Sequence, residues 1–284
     1  MVRTDSTEQK LDKFFSPMAK AKPEEEAEKP PEYKNEFRRE IKLRSILQLR
    51  TDVENNLHVG LRTVIKDCTF VGLVNSTQCL LQHSTKLYLC NTQNLTRELF
   101  YQIALYEFAN FGVLQFSTPI SVKELATLAL ETASQELGWT EEETSKEVAA
   151  NNVADLLTEK ASMLEDYFSI EITNGELHAL PLLLEKHVPD ISYLPLFIVK
   201  IATEIDWDLE KPCLSGLCKE LANFYSQPCS FDDSTENSTG SANSSWKWTA
   251  EHVIIPAIKS TLLPPNSFVQ DGTILEIANL PDQP

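Results

Sequence analysis

The sequence predicts an α+β fold on three observations. Alternating apolar runs and runs of helical period are interspersed without the strand–helix–strand repeat that a parallel sheet requires. Asn174-Gly175, between two alternating runs, is a hairpin signal, because both residues tolerate the positive φ of a type I′ turn. Thr51-Asp-Val-Glu54 and Ser121-Val-Lys-Glu124 read as capping boxes that open helices.

The elements follow in order. Ile41, Leu43, Leu47 and Leu49 alternate with Lys42, Arg44, Gln48 and Arg50, the pattern of a half-buried strand. A helix from Thr51 carries Val53, Leu57, Leu61, Val64 and Ile65 on one face. Short strands are expected at 68–74, 78–83 and 86–90, a helix at 96–109 and a strand at 111–116. Helices then open at Ser121 and at Thr140-Glu-Glu-Glu143, the second running through Val153, Leu157 and Leu164; its acidic first turn favours the helix dipole. The hairpin 169–184, helices at 195–204, 209–225 and 249–262, and a strand at 273–278 complete the reading. Pro256 should kink the last helix.

The chain has 284 residues and a formal charge of −17, from 42 acidic and 25 basic side chains. That balance speaks against a broad basic face for gripping nucleic acid. The eight glycines are scattered, with Gly60 and Gly72 the nearest pair, so no phosphate-binding loop, dinucleotide fingerprint or nucleophile elbow can be written. No run of 18 apolar residues is present, so no membrane contact is expected, and the charged N-terminus does not read as a secretory signal. The six cysteines are therefore expected to stay reduced, and the sequons at Asn75, Asn94, Asn237 and Asn243 are read as chance matches.

Charge also divides the chain. Residues 119–245 carry −16, whereas 1–36, 37–118 and 246–284 carry −2, +3 and −2. The division predicts a tail or linker at 1–36, a domain formed by 37–118 with 246–284, and an acidic block at 119–245 between them. The tail is too poor in apolar residues to order itself, and serine-rich 226–245 reads as a flexible loop ending the acidic block.

Candidate chemistry is sparse. Cys213 and Cys218 have the wrong spacing for a zinc knuckle and share an apolar helical stripe with Leu214 and Leu221, so core packing is the simpler reading. Cys79 and Cys90 fall opposite each other if Ser84-Thr85 is a two-residue turn. His58, His83, His178, His187 and His252 are dispersed. No metal, cofactor or catalytic set is expected. The basic run Lys34, Arg38, Arg39, Lys42, Arg44 and Arg50 suits a solvated face or protected edge, with weak DNA-phosphate contact the alternative. Leu11-Asp-Lys-Phe14-Phe15 resembles the hydrophobic end of a sliding-clamp-binding peptide, although Glu8 stands where that motif has glutamine.

Several stretches carry a wider resemblance: Phe70-Val-Gly-Leu-Val-Asn75, Gln82-His-Ser-Thr-Lys-Leu-Tyr88, Glu98-Leu-Phe-Tyr-Gln102, Phe108-Ala-Asn-Phe-Gly-Val113, Gly138-Trp-Thr-Glu-Glu142, Leu180-Pro-Leu-Leu-Leu184, Ser245-Trp-Lys-Trp248 and Ala278-Asn-Leu-Pro281. In order and content they resemble the C-terminal domain of eukaryotic MutL homologues, of the kind that is the common subunit of mismatch-repair MutL heterodimers. The resemblance implies a dimerisation subdomain of mixed sheet with helices, built from 37–118 and 246–284. A mainly helical external subdomain is inserted between them. In the nuclease-bearing paralogue of that family, Asp-Gln-His-Ala-x-x-Glu on the helix after the hairpin holds the metal. Aligned on the strand–helix junction, those roles fall at Asn91, Gln93 and Arg97, none of which supplies a carboxylate to a divalent cation.

The resemblance thus implies a nuclear, non-enzymatic subunit of DNA mismatch repair. It would pair with a nuclease-bearing MutL paralogue, recruit a repair exonuclease and, through the tail, a sliding clamp, and meet DNA only through the complex. Leu80, Leu81, Ile254, Ile258, Ile274, Ile277 and Leu280 are the expected apolar contacts with the paralogue. The family's ATPase half and its terminal Phe-Glu-Arg-Cys have no counterpart in these 284 residues, and the chain reads as a fragment, splice form or incomplete gene model. Two alternatives remain: a stand-alone metal-dependent endonuclease, and an intracellular scaffold unrelated to DNA.

Overall fold

The chain opens on a helix where alternation predicts a strand. In the computed structural model, which describes residues 38–140, 144–228 and 242–279, α1 spans Arg44–Asn55. Ile46, Leu49 and Val53 recur at helical spacing toward the core, and Leu47 of the supposed strand face is exposed. Thr51 therefore caps nothing; its hydroxyl donates to Leu47 O inside the helix at 3.0 Å. The expected long helix is broken at 56–58, and α2 (Val59–Asp67) starts afresh with His58 Nδ1 accepting the Leu61 N–H at 3.0 Å.

Three strands follow, β1 (Thr69–Asn75), β2 (Gln78–His83) and β3 (Lys86–Asn91), close to their expected bounds. Cys79 does lie opposite Cys90, and both thiols are buried. Helix α3 (Thr92–Tyr106) begins directly after β3, with Asn91 as its cap. Strand β7 (Ile274–Asn279) returns to pair with β3, so the sheet order is β1-β2-β3-β7. Every pairing is antiparallel, not the mixed arrangement expected: tight turns join β1 to β2 and β2 to β3, and β7 enters against the direction of β3.

The acidic stretch contains β4 (Gly112–Ser121), α4 (Val122–Thr132), α5 (Ser134–Leu137), α6 (Lys146–Glu159), α7 (Ala161–Phe168), β5 (Glu171–Thr173), β6 (Glu176–Leu182), α8 (Leu194–Thr203) and α9 (Glu210–Tyr225). Ser121 accepts the Glu124 N–H at 3.2 Å, as a cap should. Asn174 and Gly175 adopt φ of 53° and 76°, the type I′ values that the hairpin requires. The second sheet has order β4-β6-β5, also antiparallel. Its ladder lapses between Gln115 and Ile120, where Pro119 has no N–H to donate. The helix expected from Thr140 to Leu164 starts later, at Lys146, and is divided at Lys160.

The C-terminal portion contains α10 (Ala242–Thr249), five π-helical residues Ala250–Ile254, α11 (Ile255–Thr261) and α12 (Ser267–Gln270). Residues 242–245 are thus helical, although the composition suggested a loop. At Pro256 the helical winding changes: the widened turn precedes it and α11 restarts with proline in its first turn. Residues from Arg39 onward form one compact unit. Its core runs from Leu95, Leu99 and Phe100 of α3 to Leu217, Leu221 and Tyr225 of α9. Cys213 and Cys218 are buried within it, as core thiols. The tail 1–36, its Leu11–Phe15 segment, and most of 226–245 lie outside the described residues.

Candidate partner interface

The four-stranded sheet has two unlike faces. Cys79, Leu81, Tyr88 and Cys90 alternate onto a buried face, against which α2 and α3 pack. The intervening residues form a second face, ordered by register. One row crosses all four strands: Gly72 opposite Leu80, Leu80 opposite Leu89, Leu89 opposite Leu275. The row on one side is Thr69, Gln82, Leu87 and Ala278, and on the other Asn75, Gln78 and Asn91. None of these residues is ionisable. The three leucines of the central row are half-buried or exposed, Leu275 at 47%.

Exposed Val71 and Val74 occupy the irregular positions of β1, and exposed Ile277 the irregular position of β7. Both outer strands, β1 and β7, have an open edge among the described residues. An apolar central row flanked by uncharged polar residues is the composition found at the centre of a protein–protein interface, where charge is depleted.

The seven expected contact residues divide accordingly. Leu80 is half-buried in the central row and Ile277 is 51% exposed. Leu81, Ile254, Ile258 and Ile274 are buried in the core of this chain, and Leu280 lies outside the described residues. Leu89, Leu275 and Gly72, which share the central row with Leu80, were not among the expected contacts. The signal for them was present: β2 and β3 carry apolar residues at both parities, which a sheet with one wet face does not need.

Asn91, Gln93 and Arg97 lie together at the start of α3. Asn91 Oδ1 accepts the Asn94 N–H at 2.9 Å, Gln93 Nε2 reaches Gln227 Oε1 at 3.5 Å, and Arg97 Nη2 donates to Asn94 Oδ1 at 2.9 Å. Their side chains are thus engaged with neutral amides and backbone. No grouping of three or more His, Cys, Asp or Glu able to hold a metal occurs among the described residues.

The basic run is not one face. Arg50 Nε donates to Leu105 O at 2.9 Å and Nη2 to Tyr106 O at 3.3 Å, so it closes the C-terminus of α3, while Arg39 meets Asp166 and Lys42 meets Glu40. Two clefts lie elsewhere. One, of about 360 Å³, is lined by Leu130, Leu137, Trp139, Val153, Leu156 and Val199. The other, of about 370 Å³, is lined by Asp52, Glu98, Tyr101, Ser215 and Lys219, and burial there raises the Glu98 carboxyl and the Tyr101 phenol above their ordinary values.

The family profile for the DNA mismatch repair protein Mlh1 C-terminus matches residues 42–283. The chain belongs to that family. It is 34% identical to DNA mismatch repair protein Mlh1 of Dictyostelium discoideum and 32% identical to DNA mismatch repair protein MLH1 of Saccharomyces cerevisiae, each alignment covering 85% of this chain. A MutL protein homolog of Schizosaccharomyces pombe is also 32% identical over 85% of the chain. The chain spans only 29%, 33% and 34% of the lengths of these three relatives.

Proposed function

We propose that this chain is the heterodimerisation and docking module of a MutL-type complex in nuclear DNA mismatch repair, and that it contributes no catalysis of its own. In this reading 37–118 and 246–284 form the pairing half and 119–245 the external half. The observation that carries it is the uncharged leucine row on a sheet assembled from both ends of the domain. The partner is a nuclease-bearing MutL paralogue. Asn91, Gln93 and Arg97 occupy the positions where that paralogue would hold its metal, and they offer a divalent ion no carboxylate.

The acidic half suits basic segments of further partners, a repair exonuclease among them, and Leu11–Phe15 is the candidate sliding-clamp peptide. DNA is met through the complex. Co-expression of the 284-residue chain with the C-terminal domain of a MutL paralogue, followed by a mass measurement, tests the reading. A one-to-one complex is expected, and separate monomers would defeat it. Nicking of supercoiled DNA by the purified chain with manganese would instead favour an endonuclease acting alone.

A further inference from the structure

We propose that Cys79 and Cys90 are a dithiol that closes reversibly into a cross-strand disulfide, a redox lock on the β2–β3 hairpin; the proposal stands apart from the pairing role. The two residues are direct partners in an antiparallel ladder, both fully buried on the sheet face that α2 and α3 cover. Opposite residues of such a ladder stand about 4.5–5.5 Å apart at Cα, within the roughly 4.4–6.8 Å that a disulfide spans. The other described cysteines lack that geometry. Cys213 and Cys218, both on α9, are separated by about 7.5 Å along the helix axis alone, beyond bridging reach. Cys68 lies outside the ladder, and its thiol donates to Ile65 O at 3.1 Å.

The Cys90 thiol serves Cys79 as a hydrogen-bond donor. That bond favours the Cys79 thiolate and, against the effect of burial, holds its pKa below the ordinary 9.0, whereas Cys90 is pushed up. Cys79 is therefore the attacking sulfur. The oxidant is a small disulfide of the glutathione class. The Cys79 thiolate attacks one of its sulfurs and expels a glutathione thiolate. Cys90, giving up its proton, then attacks Cys79 Sγ in the mixed disulfide and expels the second glutathione. Both cysteine protons and the electron pair leave with the two reduced glutathiones. Entry is by way of β1, an outer strand with no buried residue. Its ladder shifts register on both sides of Gly72 and Leu73, and Leu73 is the residue opposite Cys79. Such a strand is the first to open locally. The reduced pair is the resting state; the bridge fixes the register of the strands that supply Leu80 and Leu89 and removes entropy from the unfolded chain.

The test incubates the folded 284-residue chain in buffers of rising ratio of oxidised to reduced glutathione, blocks free thiols with N-ethylmaleimide and maps the peptides by mass. Cys79 and Cys90 should leave the labelled set together, as one cross-link, while Cys68, Cys213 and Cys218 stay labelled; dithiothreitol should restore both. The oxidised chain should melt several degrees higher than the reduced one, and Cys90→Ala should abolish the difference. If both thiols stay labelled at the most oxidising ratio, the proposal fails. It fails equally if another cysteine replaces either partner, if the bridge forms only in urea, or if the oxidised chain melts no higher than the reduced one. The mapping uses the unaltered chain, so it remains decisive even where Cys90→Ala does not fold.

Discussion

Gln102 and Leu263, 161 residues apart, are joined by two hydrogen bonds running in opposite directions: Gln102 Nε2 donates to Leu263 O at 2.7 Å, and the Leu263 N–H donates to Gln102 Oε1 at 2.8 Å. A buried side-chain amide thus stands in for a strand neighbour, satisfying both polar groups of a backbone residue that has no ladder of its own. It anchors the segment after α11 onto α3, and the His58 N–H to Pro264 O bond continues the seam.

Replacing Gln102 with leucine keeps the volume and strands both backbone groups. Each orphaned group costs about 1–3 kcal/mol. The expected outcome is a fall in unfolding free energy of roughly 2–4 kcal/mol, measured by urea titration, with Gln102→Glu intermediate.

His187 should make the domain acid-sensitive. Its ring lies against Phe100 and Tyr225, its Nε2 meets Tyr225 O at 3.1 Å, and its Nδ1 is buried without a partner. Burial lowers its pKa below the ordinary 6.5, only partly offset by the Tyr225 carbonyl. As pH falls through 6.5 the unfolded chain takes up the proton first, so stability drops from there down to the folded pKa and then levels. Denaturant midpoints at pH 8, 6 and 5 should show this slope, and His187→Leu should remove that part of it.

Glu98 has the opposite sign from a typical paired carboxylate. Burial in its cleft raises its pKa above 4.5, so folding is penalised as pH rises through and beyond that value. Gln102 Nε2 already donates to Glu98 Oε1 at 2.8 Å, a bond that a glutamine carbonyl could accept equally. Glu98→Gln should therefore melt higher than the parent at pH 7 and lose that advantage near pH 4.

Arg50 at the end of α3 should resist conservative replacement. Its guanidinium forks across two terminal carbonyls and stands 5.5 Å from the Tyr106 ring centre. A lysine supplies charge without the fork. Arg50→Lys should cost about 1 kcal/mol and Arg50→Met somewhat more, by differential scanning calorimetry at low and high salt.

Much of this architecture was legible before any coordinates. The hairpin at Asn174-Gly175, the strands β2 and β3 with Cys79 facing Cys90, and the helices α8 and α9 all rest on local chemistry that a short window contains. The opening helix was not legible, because Ile41, Leu43, Leu47 and Leu49 fit a period of two while Ile46, Leu49 and Val53 fit helical spacing; only packing against α3 and α9 decides between them. Burial separates the expected contacts. Apolarity alone singled out Leu80, Ile277, Ile254 and Ile258 alike, but the structure leaves the first two partly open to solvent and consumes the last two in the core. The row Gly72, Leu80, Leu89, Leu275 is complete only once the distant β7 is in register with the β1–β3 meander.

The late arrival of the fourth strand also bears on biogenesis. A ribosome adding roughly 5–20 residues per second needs about ten to forty seconds to travel from the end of β3 to the end of β7. Throughout that interval the nascent hairpin offers a raw strand margin and a greasy flank to whatever is nearby. A need for chaperone cover during synthesis, and closure of the sheet only after residue 279 has emerged, follow from the order in which the polypeptide is made.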